Sequence, residues 1–308
     1  MSAMPGFPIF AAVLRRLSGA AAVAVIVVLA PPAAWGQAPA HAPADSTVEG
    51  VAASKAARER AKKAAAERAK RYGECMATAR RRPQDGFEDA IAWRAEGGGT
   101  AADHCAAVAL IGLEQYSEAA NRLERLAQDS LAEPEVKAGL WDQAGQAWLL
   151  DERPENAIRA FTSAIGLKPG APDMLVDRAQ AWAAKGDYSA AEADLSAALN
   201  LAPSRDDVYA LRASARRYLD RSEDALADAN TALELNPGNP EALLERGILR
   251  RMKGDDAGAR TDWMKILNAM PDAAAAVPAR QNIETMDVKP EGAAPAPAPM
   301  GSDAPPRR

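Results

Sequence analysis

The chain has 308 residues, 26% of them charged, and a formal net charge of −5 at pH 7. An acidic balance gives no reason to expect nucleic acid as a partner, and the scarcity of β-branched runs argues for an all-α fold. The charge is unevenly spread: residues 55–82 carry eleven Lys/Arg and three Glu, a local net of +8, so the remainder sums to −13.

Residues 1–36 have the form of a secretory signal peptide. Arg15 and Arg16 precede an apolar run from Gly19 to Ala30, Pro31-Pro32 ends it, and Ala34-Trp35-Gly36 offers small residues for cleavage before Gln37. The run is about 12 residues, short of the roughly 20 that a membrane-spanning helix needs. The expected location is periplasmic. The alternative is an uncleaved inner-membrane anchor facing the periplasm, with Arg15 and Arg16 inside its span. Membrane contact is expected only in that case.

Residues 37–53 are rich in Ala and Pro, carry no periodicity and are expected to form a flexible linker. Residues 54–73 differ: Lys55, Arg58, Arg60, Lys62, Lys63, Arg68, Lys70 and Arg71 lie among alanines. These are good helix formers without a large apolar stripe, so a basic, solvated helix is expected.

Residues 74–133 hold two degenerate repeats of the pattern that follows. Phe87, Ala90 and Trp93 mark one second helix, and Tyr116-Ser117-Glu118-Ala119 with Leu123 and Leu126 mark another. Cys75 and Cys105 are 30 residues apart, close to one repeat, on successive first helices. With an export signal the expected arrangement is a disulfide, the alternative being two buried free thiols. His104 sits beside Cys105, but the other histidine is His41 in the linker, which makes a poor metal site. Gly97-Gly98-Gly99-Thr100 lacks the lysine of a phosphate-binding loop and is expected to be a turn with Thr100 as helix cap. Residues 131–137 exceed the period by about four residues and should lengthen a loop or the next helix.

Residues 138–271 align with themselves four times at a period of 34, in lines beginning at Ala138, Pro172, Asp206 and Pro240. Position twenty reads Ala157, Ala191, Ala225, Ala259, and position thirty-two reads Pro169, Pro203, Pro237, Pro271. Position eight is Gly145, Ala179, Ala213, Gly247, and position twenty-four is Phe161, Leu195, Ala229, Trp263. Each line contains two segments with apolar residues at helical spacing, joined by turns such as Gly186-Asp187. Residues 272–286 are expected to form a capping helix in which Val277, Ile283 and Met286 cover Trp263 and Leu267. Residues 287–308 are Pro/Ala-rich and are expected to be a disordered tail.

The period and these residues resemble the tetratricopeptide repeat family. The resemblance implies a right-handed α-solenoid of helix–turn–helix repeats, with flexible termini flanking it here. It also implies a concave groove that binds a polypeptide. Carried onto this chain, the groove positions are Asp142, Gln143, Gln146, Asp173, Asp177, Gln180, Asp207, Ser214, Arg217, Glu241, Glu245 and Arg251. The Lys and Asn with which some members hold a partner's C-terminal carboxylate are replaced by Asp142 and Gln146, so that clamp is not expected. The carboxylates are expected to form an exposed acidic stripe suited to a basic or mixed-charge peptide. The sequence contains no nucleophile elbow and no nucleotide fingerprint. The expectation is a non-catalytic scaffold or adaptor of the bacterial envelope, without cofactor or metal. The alternatives are a membrane-tethered structural subunit, or an enzyme with an unrecognised site.

Overall fold

The computed structural model describes residues 48–287. The export signal expected at 1–36, the expected linker up to residue 47 and the expected tail from residue 288 lie outside the described residues. Among the described residues every regular element is helical: α1 (Val48–Arg81), α2 (Pro83–Trp93), α3 (Gly99–Gly112), α4 (Tyr116–Asp129), α5 (Pro134–Leu150), α6 (Pro154–Leu167), α7 (Pro172–Lys185), α8 (Tyr188–Leu201), α9 (Asp206–Tyr218), α10 (Ser222–Leu235), α11 (Pro240–Met252), α12 (Asp256–Ala269) and α13 (Ala276–Asp287). Consecutive helices pair, and the pairs stack into a right-handed α-solenoid in which first helices also meet one another, α5 against α7 and α9 against α11.

The period of 34 is written in the turns. Within each pair the residue at position fifteen takes a left-handed backbone: Glu152, Gly186, Asp220 and Gly254, with φ of 57°, 88°, 58° and 83°. Glu114 does the same one pair earlier, at φ 59°. Glycine adopts this conformation without steric penalty, so the acidic residues hold it at some strain. Each second helix of the regular array stops two residues before a proline, which cannot donate an N–H to continue it. Asp187, Asn239 and Asp255 cap the helices that follow them by accepting the N–H of Ala190, Ala242 and Gly258 at 2.8–3.0 Å.

Two helices of a pair cross where position eight faces position twenty-four. A Cβ on Gly145 would meet the Phe161 ring at 2.6 Å, and one on Gly247 would meet the Trp263 indole at 2.3 Å. Where the second residue is smaller, the first is alanine: Ala179 goes with Leu195 and Ala213 with Ala229. All of these side chains are buried. Glycine thus stands where the facing residue is a large aromatic and alanine where it is Leu or Ala, so each crossing avoids overlap.

A second interaction recurs with the period. Arg178, Arg212 and Arg246 each grip the aspartate sixteen residues on with two bonds, to Asp194 (2.8 and 2.7 Å), Asp228 (2.8 and 2.8 Å) and Asp262 (2.9 and 2.7 Å). The same guanidiniums reach sixteen residues back to Thr162, Ser196 and Asn230 on the preceding second helix, at 3.2–3.4 Å. Each arginine therefore ties three helices. In the first regular repeat the equivalent places are Ala144 and Ala160, both fully buried.

The N-terminal pairs are held differently. α1 is one continuous helix, so the last residues of the expected linker, from Val48, are helical instead. Tyr72 Oη donates to His104 Nδ1 (2.7 Å), and His104 Nε2 then donates to Gln143 Oε1 (2.9 Å), joining α1, α3 and α5 through the interior. Burial lowers His104 to about 4, which keeps it neutral. The Cys75 and Cys105 sulfurs stand at bonding distance, 1.94 Å, with Cα atoms 6.2 Å apart.

The glycine turn differs from expectation. The chain kinks at Gly97 (φ 92°), Gly98 takes the cap position, and Thr100 makes no cap bond. A Cβ on Gly98 would lie 2.8 Å from the Trp93 ring, so the turn is set by space. The extra residues before Ala138 lengthen α5 to 17 residues. At the other end α13 begins at Ala276 with Pro278 in its first turn. Ile283 and Met286 cover the core containing Trp263, with Ala276 and Ala279 beneath. Val277, expected among the covering residues, is 48% exposed because the buried face falls on the alanines.

Gly247→Ala is expected to lower unfolding free energy by about 1–3 kcal/mol in urea melts, since the new methyl enters the Trp263 ring. Combining it with Trp263→Leu recreates the Ala179/Leu195 solution. The double variant is expected to be less destabilised than the sum of the single changes by at least about 0.5 kcal/mol.

Candidate functional site

The first helices α5, α7, α9 and α11 form the inner wall, and their positions two, five, six and nine carry the polar groups. Asp142 and Gln146 lie one turn apart on α5. Gln146 Nε2 donates both to Asp142 Oδ2 (3.1 Å) and to Asp177 Oδ2 (3.2 Å) on α7. One amide therefore bridges two half-buried carboxylates from adjacent repeats. With both ionised, Asp142 Oδ1 and Gln146 Oε1 are enclosed and have no donor. A buried acceptor left without a partner costs about 1–3 kcal/mol.

The electrostatics follow from that geometry. Burial, then the charges of Asp177 and Asp173, hold the Asp142 carboxyl well above the ordinary range. Burial likewise pushes Asp177 up to about 6, with Asp173 adding to the shift and Gln146, Arg205 and Asp142 opposing it. Arg205, from the turn between α8 and α9, is the nearby cation. It donates to Asp173 (2.8 Å) and, with two bonds of 2.7 Å, to Asp207.

The other half of the wall is closed. Glu245 on α11 is fully buried and paired with the Nε of Arg217 on α9. Burial pushes its carboxyl up and Arg217 pulls it back. Arg217 also lies over the Tyr218 ring, 4.2 Å from its centre, and Tyr218 stacks on Tyr188 at 4.4 Å. Ser214 is buried on α9, and Arg251 donates to the Asn282 carbonyl of the capping helix (3.4 Å). Gln180 and Glu241 are half-buried, and Gln143 is taken up by His104.

The expected continuous acidic stripe is therefore corrected. Glu245 is an interior ion-pair partner instead of a surface charge, because Arg217, 28 residues away, reaches across to it. Asp173 and Asp207 share one guanidinium. What remains is a half-buried acidic seat made by Asp142, Gln146 and Asp177 and rimmed by the exposed Asp173. Arg205 escaped sequence reasoning because it occupies the last position of its line, outside any helix face. The Arg–Asp ladder escaped it although the recurrence of Arg178, Arg212 and Arg246 at the period was available as a signal. Among the described residues no group of three His, Cys, Asp or Glu side chains is placed to hold a metal ion, and no helix is long and apolar enough to cross a membrane.

Comparison with known proteins places this architecture. Two models described as tetratricopeptide repeat match residues 149–215, and residues 106–172 together with 211–276. Among curated proteins no relative matches. A thermophilic TPR protein of Thermus thermophilus is similar at 18% identity, over 60% of this chain and 100% of that one, with a TM-score of 0.49. The second TPR domain of human RPAP3, solved with the HSP70 peptide SGPTIEEVD, is similar at 28% identity over 38% of this chain and 98% of that one, TM-score 0.37. The first TPR of Spaghetti (RPAP3), bound to the HSP90 peptide SRMEEVD, gives 28% identity over 39% and 95%, TM-score 0.38.

The acidic seat has a stability signature. A carboxyl raised in the folded state destabilises the fold above its folded value, and that cost disappears below the unfolded value of about 3.9. Asp142→Asn is expected to raise the melting temperature at pH 8, with the gain fading as pH falls below the raised folded value and gone near the unfolded value of about 3.9. A gain that is equal at the two ends of that range would overturn this account of the pair.

Proposed function

Because the chain belongs to the tetratricopeptide repeat family, we propose that it is a non-catalytic scaffold that holds a basic polypeptide against the acidic seat of its inner wall. The observation that carries this is the pair of half-buried carboxylates, Asp142 and Asp177, bridged by the neutral Gln146 amide instead of a cation. A lysine or arginine of the ligand supplies the missing positive charge at their accessible edge. A charge-assisted bond of this kind is roughly twice as strong as a neutral one. Ligand binding also removes the repulsion that raises Asp142 and Asp177. The closed half of the wall, filled by Arg217 and Glu245, offers shape and aromatic surface instead of open charge.

The proposed setting is the bacterial envelope. It rests on the amino-terminal sequence pattern and on the pairing of Cys75 with Cys105, which persists in an oxidising compartment. In this reading the bond clips α1 to α3, where the repeats are least regular. Closing such a loop is worth roughly 3–4 kcal/mol in the chain-entropy picture.

Two measurements test the proposal. A synthetic Lys/Ala peptide of unrelated sequence is expected to bind at low salt and to bind more tightly at pH 7.5 than at pH 5, as the raised carboxyls ionise. Asp142→Asn/Asp177→Asn is expected to weaken that binding at least about tenfold with helical content unchanged, a difference of about 1.4 kcal/mol. Equal binding by the double variant would move the site elsewhere. For the cysteines, thiol labelling of unfolded, unreduced protein isolated from its native host is expected to find no free thiol. Two labelled cysteines would sink the envelope reading.

A further inference from the structure

α1 is longer than its place in the fold requires. Its 34 residues extend about 51 Å at the helical rise, yet among its described side chains, from Lys55 on, the first buried is Tyr72. Of those described side chains, Tyr72, Cys75, Met76 and Ala79 join the core. Residues 55–68 are exposed on every face, and Ala69 is the first to gain partial cover. Residues 55–71 carry eight Lys/Arg and two Glu, with alanine as their apolar residue. This segment has nothing to bury against its own fold and a strong charge to satisfy.

The rest of the array has the opposite sign. Residues 83–287 carry 21 Lys/Arg against 35 Asp/Glu, a net of −14. Within that surface a half-buried carboxylate pair bridged by a neutral amide is the seat of Asp142, Gln146 and Asp177, rimmed by Asp173. The basic segment cannot turn back onto the seat of its own chain. No glycine or proline interrupts residues 55–71 to kink it. Its direction is fixed where Tyr72, Cys75 and Met76 are buried against α2 and α3.

We propose that residues 55–71 of one copy dock as a helix on the acidic seat of a second copy, with Lys/Arg side chains of the helix set against the half-buried carboxylates of Asp142 and Asp177. The two arms exchange reciprocally, so that both seats are filled in one two-fold pair. The proposal rests on the groove reading given above and names its occupant. The contact is electrostatic and lacks an apolar anchor. It therefore weakens steeply with salt, since exposed charges are screened over about 8 Å at physiological ionic strength. Such a pair holds at high local concentration and yields its seat to a better basic ligand, which makes the arm a built-in competitor.

The test uses three full-length proteins studied by analytical ultracentrifugation at low and high salt. The wild-type chain is expected to form dimers at low salt that dissociate with at least about tenfold weaker affinity in 0.5 M salt. An arm variant, Arg60→Glu/Lys62→Glu/Lys63→Glu, changes exposed positions alone and is expected to be monomeric. A seat variant, Asp142→Asn/Asp177→Asn, is expected to be monomeric as well. Mixing the two is expected to restore a one-to-one heterodimer, because one supplies the arm and the other the seat. A monomeric wild-type chain at low salt, an arm variant that still dimerises, or a mixture that stays monomeric overturns the proposal. A synthetic peptide of residues 55–71 added to the arm variant separates the two failures. If it binds while the wild type stays monomeric, the groove reading stands and the exchange falls. If it does not bind either, both fall.

Discussion

How close two helices of a pair can come is decided by one residue, the small one at position eight, and the rest of the solenoid is built on that distance. Gly145 admits Phe161, Gly247 admits Trp263, and the alanines at 179 and 213 accept Leu195 and Ala229. Had each repeat chosen its residue independently, the spacing would vary from pair to pair and the stack would lose its regular curve. Interiors are packed like crystals, so a misfit of one methyl is felt by the next layer. Matching the two residues lets the helices of each pair cross without overlap, and equivalent side chains of successive repeats lie within reach of one another.

That reach is what the Arg–Asp ladder exploits. Each of Arg178, Arg212 and Arg246 bonds forward within its repeat and backward to the previous one, so it fixes the stagger between repeats as well as the pairing within one. Half-buried ion pairs of this kind add little net stability, since desolvation offsets much of the attraction, but they discriminate sharply against a wrong register. The first regular repeat has Ala144 and Ala160 in these places and obtains its register otherwise. There the buried chain from Tyr72 through His104 to Gln143 crosses from α1 to α5. The two devices divide the solenoid into a polar-network end and an ion-pair end, and they meet at α5 and α7, where the acidic seat lies.

The period, the turns, the proline stops and the helix pairs were legible in the sequence because each depends on residues close together along the chain. The alternation of small and large at positions eight and twenty-four was visible as a list, but its meaning as a matched pair required the helices to be crossed. The acidic positions were read as a continuous stripe because helical periodicity reports which face a residue occupies and says nothing of what reaches it from elsewhere. Glu245 and Arg217 are 28 residues apart, and Arg205 holds Asp173 from 32 residues away. Thr100 looked like a cap by residue type. The crowding of Trp93 against Gly98 put a glycine there instead. Val277 fell on the exposed side of α13 because Ala276 and Ala279 take the buried face of its first turn.

At the seat between α5 and α7 two half-buried carboxylates lie together without an arginine or lysine bonded to either among the described residues. Several other carboxylates of the array do have a cation: Asp194, Asp228, Asp262 and Glu245 each have an arginine, and Asp173 and Asp207 share one. Asp142 and Asp177 have a neutral amide between them, and their burial makes the lack of a cation more costly than it would be on an open surface. An arginine at the place of Gln146 would neutralise the pair and strengthen the stack, as Arg217 does for Glu245 further along the wall. A glutamine there keeps both carboxylates in position while leaving their charge unanswered. That exception is what the proposed basic ligand would answer.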